Sequence, residues 1–164
     1  QFELNKARER GHVLEGLAVA LSNVDTVIAL IKAAPTPADA RRQLMAQAWG
    51  SVLVSDMLSS TASQQATRPL QLAPEFGLHA AGYYLSEAQV QAILELRLHR
   101  LTGLEKDKII NEYRELLERI ADLLEILANR IKRRKHLSKK SMVPSLFNRP
   151  FSSNAVWAFP SKNS

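Results

Sequence analysis

The 164-residue chain contains no cysteine. Disulfides, thiolate metal sites and cysteine nucleophiles are therefore excluded, and the absence agrees with a reducing, cytoplasmic location. Aromatic residues make up only 6% of the chain and there are six glycines, a balance that favours helices over a β-sandwich. No stretch approaches the roughly 20 consecutive apolar residues of a membrane-spanning helix, so no membrane partner is expected. The chain starts at Gln1 rather than Met and continues with polar residues. It shows no signal-peptide pattern and reads as a fragment of a longer protein.

Acidic residues are missing from one end. Nine of the 22 Lys and Arg lie between Asn129 and Ser164, a segment with no Asp or Glu. The net charge of +6 thus divides into a mildly acidic body, residues 1–128, and a basic tail, residues 129–164. The body lacks the clustered positive charge of a phosphate-gripping surface. The tail, read as disordered, offers a weak nucleic-acid contact through Arg130, Lys132, Arg133, Arg134, Lys135, Lys139 and Lys140. Polyanion attraction and a merely solvated end both fit such a run.

An apolar fraction of 46% is enough for a core. Leu14, Leu17, Leu21, Val24, Ile28 and Ile31 are spaced 3-4-3-4-3, which predicts one long helix over 2–33. Pro35 and Pro37 end it. Thr36-Pro37-Ala38-Asp39 then opens a helix reaching about Gln47: Thr is a good N-cap, Pro suits the first turn and Asp suits the positive helix end. A short helix is expected within Trp49–Ser59. Residues 60–83 read as irregular, pinned to the core by Leu70, Leu72, Phe76, Leu78 and Tyr83. Ser86-Glu87-Ala88-Gln89 is a capping box for a helix over 86–101. Thr102-Gly103-Leu104-Glu105 repeats the pattern and opens the last helix, in which Ile109, Tyr113, Leu116, Ile120, Leu123 and Leu127 are spaced 4-3-4-3-4. The reading is an all-α fold: an antiparallel coiled-coil arm (1–33 and 103–128) with a small helical head (34–102), and no strand.

Helix 86–101 has more apolar surface than one core requires. On a helical wheel its apolar groups span roughly 200°, against about 100° for a surface helix. Such a helix is either buried within the head or shared between two subunits. Arg97 falls inside the apolar arc, where a charge needs a partner or a rim position.

Catalytic chemistry finds little support. No basic cluster or His/Asp pair activates Tyr83 or Tyr84 as a nucleophile. His12, His79, His99 and His136 are scattered rather than converging as metal ligands, and no glycine-rich phosphate loop occurs. No catalytic, cofactor-binding or metal-binding residue is expected.

Three stretches carry a resemblance: FELNKARERGHVLEGLAVAL over 2–21, APTPADA over 34–40, and YYLSEAQVQAILELRL over 83–98 followed by LTGLE over 101–105. Across residues 1–128 the chain resembles the A subunit of bacterial DNA gyrase. The YYLSE and LTGLE segments look more like gyrase than like its sister, topoisomerase IV. The resemblance implies the arm and the head at its tip, where two heads form the exit gate, a dimer contact that opens to release a transported DNA duplex. It directs the broad apolar helix to that contact, with Val90, Ile93, Leu94, Arg97, Leu98 and Leu101 as the expected interface. The implied partners are a second copy, DNA and the B subunit.

The resemblance also implies what this segment does without. In that family the nucleophilic tyrosine belongs to a preceding winged-helix domain, and ATP and Mg²⁺ are bound by the partner B subunit, so this chain alone is expected to be inactive. From Asn129 the family pattern stops, as a frameshifted gene would make it do. The competing readings are a topoisomerase IV A-subunit fragment, and a non-catalytic helical module whose basic tail grips nucleic acid.

Overall fold

The computed structural model describes residues 1–59 and 61–141. These fall into two units, residues 1–127 and residues 128–141. The elements in order are α1 (Phe2–Ser22), α2 (Val24–Ala33), α3 (Pro37–Ala46), α4 (Val52–Met57), α5 (Thr61–Thr67), β1 (Gly77–His79), β2 (Gly82–Tyr84), α6 (Glu87–Glu95), a 3-10 turn (Leu98–Arg100) and α7 (Gly103–Ser141). The fold is all-α apart from one small hairpin, as the sequence predicts. No single helix among the described residues is long and apolar enough to cross a membrane.

The helix expected over 2–33 is two helices meeting at 92°. The break is at Ser22-Asn23. Ser22 Oγ donates back to Ala18 O at 3.0 Å, while Asn23 Nδ2 donates to Val19 O at 3.0 Å and to Gly50 O at 2.7 Å. Side chains that bond the preceding turn compete with helix continuation. The apolar row persists through the break because α1 and α2 line the same core from different directions: Leu14 and Val27 both belong to it.

That core gathers Leu14, Val19, Val27, Leu44, Trp49, Val54, Leu85, Val90, Ile93 and Tyr113. The second half of α1 is therefore part of the head's core rather than of a separate arm. The first half of α1 and the 103–127 part of α7 share a smaller cluster, Leu4, Ala7 and Ile120, flanked by Leu123, Leu124 and Leu127. The pairing order fixes the direction. Gly11 lies beside Leu116 and Ile120, and Glu15 meets Tyr113, so rising numbers in α1 face falling numbers in α7. The two run antiparallel, as expected from the heptad rows.

Two further expectations are corrected. The 60–83 region holds α5 and an antiparallel hairpin in the register Gly77↔Tyr84, Leu78↔Tyr83, His79↔Gly82. Three-residue strands are too short to show a period of two. Trp49 adds a rung: its N–H donates to Tyr83 O at 2.9 Å, and the Tyr83 N–H returns a bond of 2.7 Å to Trp49 O. Gly82, at φ +142°, is required here, since a Cβ would sit 3.0 Å from Trp49 O. The basic tail is also not wholly irregular, because α7 runs to Ser141. Residues 128–141 contain no Pro or Gly, and Arg, Lys and Leu are good helix formers. The rest of the tail expectation, 142–164, lies outside the described residues.

Candidate functional site

The capping box predicted at Ser86–Gln89 is present, and its parts reach further than a cap. Ser86 Oγ accepts from Gln89 N at 3.4 Å, and Gln89 Oε1 accepts from Ser86 N at 2.9 Å. The amide end of Gln89 then crosses to α1. Its Nε2 donates to His12 O at 2.7 Å and to Tyr83 Oη at 2.7 Å, with His12 Nδ1 at 3.2 Å. Gly16 makes this crossing possible. A Cβ at residue 16 would lie 2.6 Å from both Cβ and Cγ of Gln89.

The chain of hydrogen bonds ends on one carboxylate. Tyr83 donates its hydroxyl to Glu15 Oε2 at 2.7 Å, and Tyr113 donates to Oε1 at 3.0 Å. Glu15 is only 6% exposed, yet both oxygens are satisfied by neutral donors. One side chain thus ties α1 to β2 and to α7. On the other side His12 Nε2 lies 2.7 Å from Ser86 Oγ, and His12 Nδ1 lies 3.9 Å from Glu15 Oε2. Gln89 Nε2 spends its two hydrogens on His12 O and Tyr83 Oη, and the His12 ring is held to the α6 N-cap by the Nε2–Ser86 Oγ bond.

Burial dominates the titration of this cluster. It pushes the Glu15 carboxyl up to about 7, against the opposing pull of the two tyrosine hydrogen bonds and the Arg68 charge. It pushes His12 down to about 4, with Arg68 acting in the same direction. It also raises the phenols of Tyr83 and Tyr113, helped by the adjacent carboxylate. Arg68 is itself held by the carbonyls of Phe76 and Ala73. A cavity of about 20 Å³, bounded in part by His12, Glu15, Gln64, Thr67 and Arg68, is roughly the size of one water.

This arrangement locks segments together rather than activating a nucleophile. The Tyr83 and Tyr113 phenols are both fully buried, and the cavity beside Glu15 is about 20 Å³, too small to admit a substrate. Tyr84 sits at the hairpin, edge-on to His79 with ring centroids 5.6 Å apart. Among the described residues no group of three His, Asp or Glu side chains converges as metal ligands.

The expected interface residues divide. Val90, Ile93 and Leu98 are buried in the chain's own core, so they have no surface left for a second copy. Leu94 and Leu101 are half-buried, and Arg97 is exposed. The helix ends early, which shifts the phase of Arg97, Leu98 and Leu101, whereas Val90 and Ile93 lie within α6 and face the core as part of its regular apolar side. Leu96 closes α6 in an extended conformation, and the 3-10 turn at Leu98–Arg100 turns the following side chains inward and outward on a new phase. Arg130, Lys132, Arg133, Arg134, Lys135, Lys139 and Lys140 are all exposed on the 128–141 stretch of α7.

The Glu15–Gln89–Tyr113 set went unrecognised in the sequence. Its one visible signal was a lone carboxylate within the apolar run Val13–Leu21, facing a Tyr that interrupts the aliphatic row of α7.

The family model for the A subunits of DNA gyrase and topoisomerase IV matches residues 1–141, past Ala128, where the sequence reading ends the resemblance. The chain is 58% identical to the DNA gyrase A subunit of Pseudomonas aeruginosa over 128 residues, which are 78% of this chain and 14% of that protein. Against the DNA gyrase A subunit of Escherichia coli the identity is 55% over 112 residues, 68% of this chain and 13% of that protein. Against that of Neisseria gonorrhoeae it is 46% over 128 residues, 77% and 14% respectively. The chain therefore spans about one seventh of the length of these relatives.

Proposed function

The chain belongs to the family of DNA gyrase and topoisomerase IV A subunits, and on that premise we propose that it supplies the exit-gate dimer contact of a gyrase A subunit. The role is mechanical. Two copies close head to head about a twofold axis and part to release a transported duplex.

The observation that carries this reading is the stretch from the end of α6 to the first turn of α7. Leu104 is 81% exposed, Leu94 and Leu101 are half-buried, and Arg97 is exposed between them. Fully burying a leucine contributes about 1.5–3 kcal/mol, so a second copy offering the same segment recovers energy that the monomer leaves in water. A contact that must open at every passage suits the low end of specific interfaces, below about 1,200 Å².

In this reading the B subunit brings ATP and Mg²⁺, DNA is the transported partner, the setting is cytoplasmic, and the isolated chain has no cleavage, ATPase or supercoiling activity. The sequestered phenols of Tyr83 and Tyr113 support that division of labour. Gyrase is favoured over topoisomerase IV by the YYLSE and LTGLE segments.

Sedimentation velocity on the full chain tests the contact. Concentration-dependent dimerisation is expected, weakened at least tenfold in Leu101→Asp/Leu104→Asp with the helical circular dichroism unchanged. A folded variant that self-associates like the parent, or a parent that stays monomeric at high micromolar concentration, overturns it.

A further inference from the structure

The basic run on α7 has a pattern that its charge count hides. At about 100° per residue, Arg130, Arg133 and Arg134 fall within an arc of about 100°, with Lys140 at its edge. Lys132, Lys135 and Lys139 fall within an arc of about 60° on the opposite side. One face is arginine and the other is lysine. We propose that the arginine face of residues 128–141 binds the sugar–phosphate backbone of duplex DNA without sequence preference.

A helix's own dipole accounts for little of this charge. Its attraction for cations is confined to the last turn, where the basic residues are Lys139 and Lys140. The arginines lie further back. The nearest acidic residue in the sequence is Glu125, and none follows it. Arg133 and Arg134, three and four positions after Arg130, repel along the helix. Such a face is stabilised by a polyanion.

The kind of polyanion follows from what else the stretch lacks. Ile131 and Leu137 are its exposed apolar side chains, at 54% and 66%, and they lie about 120° apart on the wheel. An interfacial membrane helix needs a continuous apolar face, which two separated residues do not make. Arginine's planar fork donates to two phosphate oxygens at once, whereas lysine acts as a point charge. Duplex DNA presents one phosphate charge per about 1.7 Å of axis, and Arg130 to Arg134 spans about 6 Å of helix. Contacts made only to phosphate carry no base preference. This inference does not depend on the exit-gate reading.

Fluorescence anisotropy of the full chain with a mixed-sequence 30-base-pair duplex, between 50 and 200 mM salt, tests it. Four phosphate contacts give a slope of log affinity against log salt of about −3.6, which is about 100-fold weaker binding over that range. Arg130→Gln/Arg133→Gln/Arg134→Gln should weaken binding at least tenfold at 100 mM salt and reduce the slope to about −1. Lys132→Gln/Lys135→Gln/Lys139→Gln should keep most of the slope. Glutamine keeps helix propensity, and circular dichroism checks the fold. Absence of binding at 50 mM, an arginine variant that binds like the parent, equal loss in both variants, or tighter binding to phosphatidylglycerol vesicles than to the duplex each overturns the proposal. Self-association measured on the arginine variant reports separately on the gate.

Discussion

Glu15 and Tyr113 stand 98 positions apart in the chain and meet at 3.0 Å, phenol to carboxylate. This bond and the one from Tyr83 on the other oxygen link α1, β2 and the 103–127 part of α7 through one buried carboxylate, while Arg10 and Glu112 add an exposed ion pair between α1 and α7. Hydrogen bonds to a buried acceptor matter mainly through the cost of losing them.

Tyr113→Phe removes that donor and leaves the ring in place. The orphaned Oε1 should cost about 1–3 kcal/mol, read as a lower urea midpoint with an unchanged m value. Tyr83→Phe should cost more, because the same hydroxyl also accepts from Gln89.

The pH response follows from opposite shifts in Glu15 and His12. Glu15 titrates near 7 folded against 4.5 ordinarily, so the native state holds the extra proton and stability falls as pH rises from about 4.5 to 7. His12 titrates near 4 against 6.5, so the unfolded state holds the extra proton and stability is lost as pH falls from about 6.5 to 4. In the overlap, about 4.5 to 6.5, the two cancel and stability from this pair should be flat. Glu15→Gln removes the upper limb. Relative to the parent it should gain about 1 kcal/mol between pH 6 and pH 8, measured by urea unfolding at both. An unchanged difference would show that Glu15 titrates normally.

Gly16→Ala places a methyl 2.6 Å from the Gln89 side chain. The α1–α6 contact must then open, and overpacking of this kind costs about 1–3 kcal/mol. Thermal unfolding should show a fall of several degrees. The same substitution at Gly50, where a Cβ meets nothing within 4 Å, should leave the midpoint within a degree or two.

Asn23→Ala strips the bend of its bonds to Val19 O and Gly50 O. A loss of about 1–2 kcal/mol is expected, with faster amide exchange at residues 20–27 as the local signature. Exchange rates matching the parent's would assign the bend to packing alone.

The elements were legible where local chemistry decides them. Thr36 and Ser86 cap their helices as their spacing indicates, and the Tyr113 and Ile120 row is buried as its period requires. What stayed hidden was tertiary. The 3-4 rhythm of α1 and α2 is blind to a 92° turn that keeps both stripes on one core. The apolar arc over 86–101 assumes one continuous helix, whereas α6 ends at Glu95, and a wheel cannot tell whether Val90 and Ile93 face the chain's own core or a second copy. The Glu15 cluster joins residues from four separated stretches, and no local pattern announces such a meeting.

Tyr113 and Ile120 are the fully buried side chains of α7 within residues 103–127, and they lie one heptad apart. A straight helix drifts only about 20° over seven residues against a strict seven-residue repeat. Two anchors at that interval can both meet α1 without either rod winding around the other. Longer rods with a third and fourth anchor in the same register would have to twist into a superhelix, or let their outer anchors slide off the seam.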